Sequence, residues 1–289
     1  MGFAEEPAAA ASAMLSTPVL RSAMRDGSAS RLANRTISSL VESGLAIGAS
    51  TVRTLIWRCD RWLSRHYRND FVYRKAVLRQ MFPCGGRVVL PEFRVSRSIV
   101  DILAITDSLH AIEIKSDLDS TSRLTNQLRD YRRIAPLVSI VASEHVVEQV
   151  LATPEFETVG LHWLDTNGHV ETVRAARPSY EFLDSEILMR SLRRAEYLRV
   201  LSALGATVPD LPNTRVFSYA LAATRDLDPL VFHDAVAEQL KRRQPRAGRS
   251  LIARLPEPVR PAILQINPTR QQISGLQDWM NQEVANVHA

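Results

Sequence analysis

The stretch SIVDILAITDSLHAIEIK, residues 98–115, decides the fold. Ser98 to Ile105 and Leu109 to Lys115 are apolar, β-branched runs, and Thr106-Asp107-Ser108 between them favours a tight turn. The stretch is therefore expected to be a β-hairpin. Alternation puts Glu113 and Lys115 on one face of the second strand and Ile112 and Ile114 on the other. Asp101 sits inside Ile99-Val100-Asp101-Ile102-Leu103, where a carboxylate loses hydration and needs a cation or donors to compensate. The short turn brings Asp101 beside Glu113. Two neighbouring carboxylates repel unless a divalent cation joins them, and hard oxygen ligands favour Mg²⁺ or Mn²⁺ over zinc.

Working outward, Arg87 to Val95 reads as a strand that Pro91 confines to a sheet edge or a bend. Downstream, Asp119 or Ser120 is expected to cap a helix running to about Ile134, with Arg123, Gln127 and Tyr131 as one polar stripe at i, i+4 and i+8. Leu137 to Ala142 has the composition of a strand buried on both faces. Glu144 to Leu151 reads as a helix. Gly160 to Asp165 and His169 to Val173 flank Thr166-Asn167-Gly168, a strong hairpin signal. Before the hairpin, one helix follows Ser50 and a second runs from an Asp70 N-cap to a stop before Pro83, after which Cys84-Gly85-Gly86 turns the chain.

The ends differ in character. Residues 1–49 form an N-terminal arm, Ala- and Ser-rich with weak periodicity in its first 35 residues, expected to be mobile or loosely helical. Residues 50–177 form the α/β unit. After Arg177-Pro178 the pattern becomes all-helical, and residues 178–289 are expected to be a separate helical domain.

Charge points to a polyanion. The chain carries 36 Lys plus Arg against 31 Asp plus Glu, a net +5. Arg53 to Arg79 alone holds eight basic residues against Asp60 and Asp70, so the rest is slightly acidic. A concentrated positive face suits nucleic acid, although a solvated helix face gives the same count. Only Lys75, Lys115 and Lys241 are lysines. A chain that uses arginine almost everywhere has a reason for a lysine at 115: a compact ammonium two residues from Glu113, able to reach a phosphate oxygen or a water molecule.

Asp101 followed by Glu113-Ile114-Lys115, on a β-hairpin with a helix after it, resembles the PD-(D/E)XK nuclease superfamily. Gln127-x-x-x-Tyr131 looks like the extra motif of its RecB- and Cas4-type branches. Glu113-Ile-Lys-Ser-Asp117-Leu-Asp119 with Arg123-Leu124 and Gln127 is similar to an uncharacterised bacterial family of such proteins with a helical tail. The likeness spans roughly residues 87–200 and is most specific from 92 to 131.

The resemblance implies a restriction-endonuclease-like αβββαβ core with a mixed sheet. It implies Asp101, Glu113 and the Ile114 carbonyl as ligands of Mg²⁺ or Mn²⁺. Lys115 would position the attacking water, and Gln127 and Tyr131 would order the site. Many relatives carry another acid on the helix before the first strand. Phe71 to Phe82 has none, and Glu92 is the substitute. Close relatives also have Arg where this chain has Ile99. The implied substrate is DNA, with RNA left open, gripped through phosphates by Arg61, Arg65, Arg123, Arg129, Arg132 and Arg133.

Without a metal, the same residues read differently: Asp101 as an acid paired with an arginine, and Glu113 with Lys115 as a cross-strand pair on a solvated face. Tyr131 then packs, and Asp117 and Asp119 are structural. The corresponding function is a catalytically silent module that binds nucleic acid or a protein, a second copy included. A third reading makes the nuclease-like part a scaffold for the C-terminal helices.

Other chemistries fail on spacing. The seven histidines lack partners at metal-ligand spacing, Gly85-Gly86 lacks the rest of a phosphate loop, and no nucleophile elbow exists. Two cysteines, Cys59 and Cys84, make neither a disulfide framework nor a zinc cluster. No apolar run reaches the roughly 18–20 residues of a membrane span. The expected location is cytoplasmic.

Overall fold

The computed structural model describes residues 5–26, 30–82, 88–206 and 208–288. The expected Cys84-Gly85-Gly86 turn lies outside them. The hairpin forms as the sequence requires, and around it stands a six-stranded mixed sheet in the order β1-β2-β3-β4-β5-β6. Its strands are β1 (Val88–Val95), β2 (Ser98–Ile105), β3 (Leu109–Lys115), β4 (Leu137–Ala142), β5 (Gly160–Leu164) and β6 (Val170–Arg174).

β1 to β3 are antiparallel, β3, β4 and β5 run parallel, and β6 returns antiparallel. Parallel neighbours need crossovers. α6 (Leu124–Arg132) supplies the first and α7 (Glu144–Leu151) the second. β1 is an edge strand, which is where Pro91 can sit without orphaning a neighbour.

Helices cover both faces. α1 (Glu5–Met14), α2 (Thr17–Asp26), α3 (Arg31–Glu42), α4 (Val52–His66) and α5 (Asp70–Gln80) lie on one side. Ile102, Ala104, Ile112 and Ile114 face them in one continuous core. α6, α7, α8 (Ser185–Arg190), α9 (Arg194–Ala203), α10 (Asn213–Thr224) and α11 (Pro229–Lys241) bury the other face, around Leu103, Ile105, Ala111 and Ile140.

Three expectations are corrected. The N-terminal arm is packed: Ala11, Met14, Leu20, Ala23, Ile37 and Leu40 are fully buried. The alanines of α1 give little periodic signal, whereas α3 buries Ala33, Ile37 and Leu40 at helical spacing. The C-terminal helices do not form one separate body. α12 (Arg249–Ala253), α13 (Arg260–Ile266) and α14 (Arg270–Met280) join the core of the N-terminal helices, whereas α8–α11 join the opposite one. α15 (Val284–His288) follows a short antiparallel bridge from Thr51 to Glu283.

Finally, the helix after β3 begins at Leu124 with Arg123 as N-cap, not at Asp119. The Asp119 Oδ2 accepts instead from the Ser116 backbone N–H and hydroxyl, at 2.8 and 2.7 Å, so that carboxylate is already spent on the turn after β3.

Candidate active site

Three acids share one row of the sheet. The β1–β2 register pairs Pro91 with Ile102 and Phe93 with Val100, which sets Glu92 opposite Asp101. β2 and β3 pair as far as Ile102 and Ile112, so Asp101 stands one step beyond, next to Glu113. Side-chain alternation slips here. Leu90 and Phe93 pack into the same core, as do Val100 and Leu103, each pair three residues apart rather than two. Glu92 takes up the slip with a φ of 51°, in a region that costs a non-glycine residue energy. The Asp101 carboxylate is thereby used within the sheet: its Oδ2 accepts the Ile114 N–H at 2.8 Å.

Each of the two inner carboxylates meets a cation. Arg74, on α5, donates from Nη2 to the Asp101 Oδ1 at 3.0 Å and to the Asp70 Oδ1 at 3.2 Å. The Lys115 Nζ lies 2.8 Å from the Glu113 Oε1, and both side chains are buried. Tyr131, on α6, is 2.6 Å from both the Glu113 Oε2 and the Ile99 carbonyl; its single proton serves one at a time. Gln127 donates from Nε2 to the Tyr131 hydroxyl at 3.4 Å. Of the polar stripe read from the sequence, Tyr131 reaches Glu113 and Gln127 reaches Tyr131, whereas Arg123 stays on the wall of the adjoining cleft.

The electrostatics leave a deficit. Burial pushes the Asp101 carboxyl up to about 7, and the Glu113 charge adds to it; Arg74 and the Ile114 N–H pull down without winning. Burial first, then Glu113, holds the Tyr131 phenol far above its usual range, so it stays protonated. Burial opposes the Arg74 charge, but Asp70 and Asp101 outweigh it and its pKa is raised. The Arg74 Nε and Nη1 and the Gln127 Oε1 are buried without hydrogen-bond partners. Such groups are costly and rare in settled interiors.

Asp101, Glu113, Lys115 and Gln127 line a cleft of about 830 Å³ that Asp70, Glu92, Arg97 and Arg123 also border. Glu92 is exposed and accepts from the Gln265 Nε2 rather than joining the two inner acids. Among the described residues, no three or more His, Cys, Asp and Glu side chains are arranged to hold a metal ion.

The arginines separate. Arg123 is exposed on the cleft wall. Arg129 also borders it, with its guanidinium bound twice by Glu155 at 2.7 Å. Arg133 pairs with Asp184 at 2.6 Å. Arg61 and Arg65 are exposed on α4 and are not among the cleft residues. Arg132 departs from expectation: it is buried, lies 3.7 Å over the Phe182 ring and donates to the Glu155 carbonyl at 3.1 Å. Its extended, apolar-sided guanidinium is a packing element here.

Sequence reasoning missed Asp70 and Arg74. Asp70 opens α5, one residue before the segment searched for a helical acid, and was read as a cap; the cap is Asn69. The i, i+4 spacing of Asp70 and Arg74 was the available signal.

Residues 73–266, more than half of the chain, match the family model described as bacteriophage P4 protein cII. No curated protein and no solved structure matches.

Proposed function

The chain belongs to the bacteriophage P4 protein cII family, and from the geometry of the acidic cleft we propose that it is a metal-dependent nuclease that hydrolyses DNA phosphodiester bonds during phage or mobile-element DNA processing. The observation that carries this reading is the adjacency of Asp101 and Glu113, uncompensated enough to lift Asp101 to about 7, with Lys115 2.8 Å from Glu113. The order α5, β1–β3, α6, β4 also agrees with the restriction-endonuclease-like core that the motif resemblance implies.

Mg²⁺ or Mn²⁺ fits this donor set, because neighbouring carboxylates that repel one another are what a hard divalent cation relieves. Asp101 and Glu113 would hold it, with the Ile114 carbonyl and Glu92 as the further ligands that the resemblance implies. Asp70, at the cleft wall on the helix before β1, is an acid on that helix, and it pairs with Arg74 rather than gathering with Asp101 and Glu113. When bound, the ion supplies Lewis-acid polarisation of a phosphate oxygen and eases ionisation of water.

The chain's own residues do the rest. Lys115 is held against Glu113 and presents its remaining N–H donors to a phosphate oxygen or an incoming water. Tyr131 keeps its proton and fixes the Glu113 rotamer. Arg74 contacts Asp101 at rest without offsetting its burial and can fall back on Asp70, which it already touches. Arg97 and Arg123 offer positive charge at the rim, where phosphates bind without sequence information.

A second reading has its own observation. Every oxygen of Asp101 and Glu113 already has a protein partner, as expected of a catalytically silent module that binds nucleic acid or a protein. Cleavage separates the two. Plasmid and single-stranded circular DNA, incubated with purified protein in Mg²⁺ or Mn²⁺, should be cut, and chelator should stop it. Lys115→Ala should slow cutting by roughly 100-fold or more. DNA left intact in both metals would leave only the silent module.

A further inference from the structure

Beside the edge strand β1, on the far side of Pro91 from the acidic cleft, two joined cavities have no part in the site described above. The first, about 180 Å³, is walled by Leu78, Val89, Ile252, Pro261 and Leu264. The second, about 320 Å³, is polar and bordered by Arg193, Arg199 and Arg242. They share Val89, Arg243, Pro245 and Leu264 as a common wall. Arg193, Arg199 and Arg242 are exposed, and none forms an ion pair with a described residue. Arg243 differs: Glu196 binds it twice at 2.7 Å, so it serves as wall rather than free charge. Arg249 stands at the apolar cavity.

One acceptor in this cavity lacks a hydrogen bond. The Glu257 Oε1 is buried without one; the Arg79 Nε, 3.8 Å away, forms an ion pair with it but lies beyond hydrogen-bond reach. A largely apolar slot edged by Lys75, Arg79 and Arg260, with one acceptor short of a hydrogen bond and opening onto exposed arginines, matches the chemistry of a nucleoside phosphate. The base lies between aliphatic side chains, as bases taken out of a stack do. A carboxylate acceptor selects an exocyclic amine, which cytosine, adenine and guanine carry and thymine lacks. The arginines take the phosphates.

We infer that these cavities form a nucleotide-binding subsite that receives an unpaired nucleotide with an amino-bearing base, cytosine, adenine or guanine, its base against Glu257 and its phosphates on Arg193, Arg199, Arg242 and Arg249. Val88 and Val89 line the base cavity, Leu90 and Pro91 the arginine groove, and Glu92 the acidic cleft. Val88 to Glu92 spans about 13 Å of extended strand. The subsite therefore places an unpaired nucleotide a short step from Asp101 and Glu113 and makes the substrate single-stranded or frayed. That last statement rests on the nuclease reading; the subsite itself does not.

The test is binding without catalysis, by fluorescence anisotropy in chelator with the full chain and labelled 12-mers of dC, dA and dT. The wild-type protein should bind dC and dA about fivefold or more tighter than dT, the lower end of what one base contact discriminates. Glu257→Leu should erase that preference. Arg193→Gln/Arg199→Gln/Arg242→Gln should lower the slope of log affinity against log salt by about 2. Competition by free dCMP and dAMP tells a nucleotide from a strand: displacement at millimolar levels marks the free nucleotide as a ligand, and displacement by oligomers alone marks the strand. Equal affinity for dC, dA and dT in the wild-type protein overturns the subsite, and so does an unchanged salt slope in the triple variant. Lys115→Ala should retain the base preference, so loss of cleavage and loss of this subsite are separate outcomes.

Discussion

Asp101→Asn should remove a pH dependence of stability that the wild-type protein carries. The Asp101 carboxyl is raised from its ordinary 3.8 to about 7, first by burial and then by the Glu113 charge. A raised carboxyl means that the folded state binds the proton more tightly than the unfolded chain. The unfolded chain then holds fewer protons between those values, and unfolding free energy falls as pH rises through that window. The stabilisation is full below pH 4 and lost above about 7.

A move from 3.8 to about 7 sets a ceiling of about 4 kcal/mol. The Asp101 side chain is 20% exposed, so solvent screening cuts the ceiling and we expect roughly 2 kcal/mol. Asn cannot ionise, so this slope vanishes in the variant, although losing one acceptor lowers its stability at every pH by about 1.5–3 kcal/mol.

The assay is urea unfolding at pH 4.5 to 8.5 in chelator, comparing slopes rather than absolute values. A second series in Mg²⁺ should flatten the wild-type slope, because a cation between the acids favours their charged forms. Parallel curves for wild type and Asp101→Asn would refute the reasoning, since the two acids would then be electrically independent.

Three further outcomes follow from single contacts. Tyr131→Phe strips the donor from Glu113 and the Ile99 carbonyl and should cost about 1–3 kcal/mol in the same urea assay. Arg132→Ala should lower stability by about 1–3 kcal/mol, through its loss over Phe182, while leaving DNA affinity unchanged; Arg123→Ala should do the reverse, as anisotropy and unfolding together would show. The Cys59 thiol is buried and pushed up to about 12, by desolvation first and then by Asp60. In a Cys84→Ser background a thiol reagent at pH 8 should not label it until denaturant is added.

The hairpin, its turn and the strands around it were legible because period-2 alternation and turn residues are local signals. So were Asp101, Glu113, Lys115, Gln127 and Tyr131, which lie within 31 consecutive residues. What escaped is non-local. Arg74 joins Asp101 across 27 residues of sequence, and nothing near Arg74 reveals that destination. Asp70 looked complete as a helix-start acid. In α1 alanine carries almost no periodic contrast, whereas Ala33, Ile37 and Leu40 of α3 do repeat at helical spacing; what buries both is a tertiary fit within one core. Arg132 was counted among phosphate ligands by its charge alone, and only the Phe182 ring above it shows why that charge is turned inward.

The central claim is that Asp101 and Glu113 share one divalent ion. Its most direct test is a crystal of the protein soaked in Mn²⁺ and measured at the manganese absorption edge. We predict an anomalous peak between the two carboxylates, with Arg74 withdrawn toward Asp70. No peak there at millimolar Mn²⁺, with Arg74 still bound to Asp101, would contradict it.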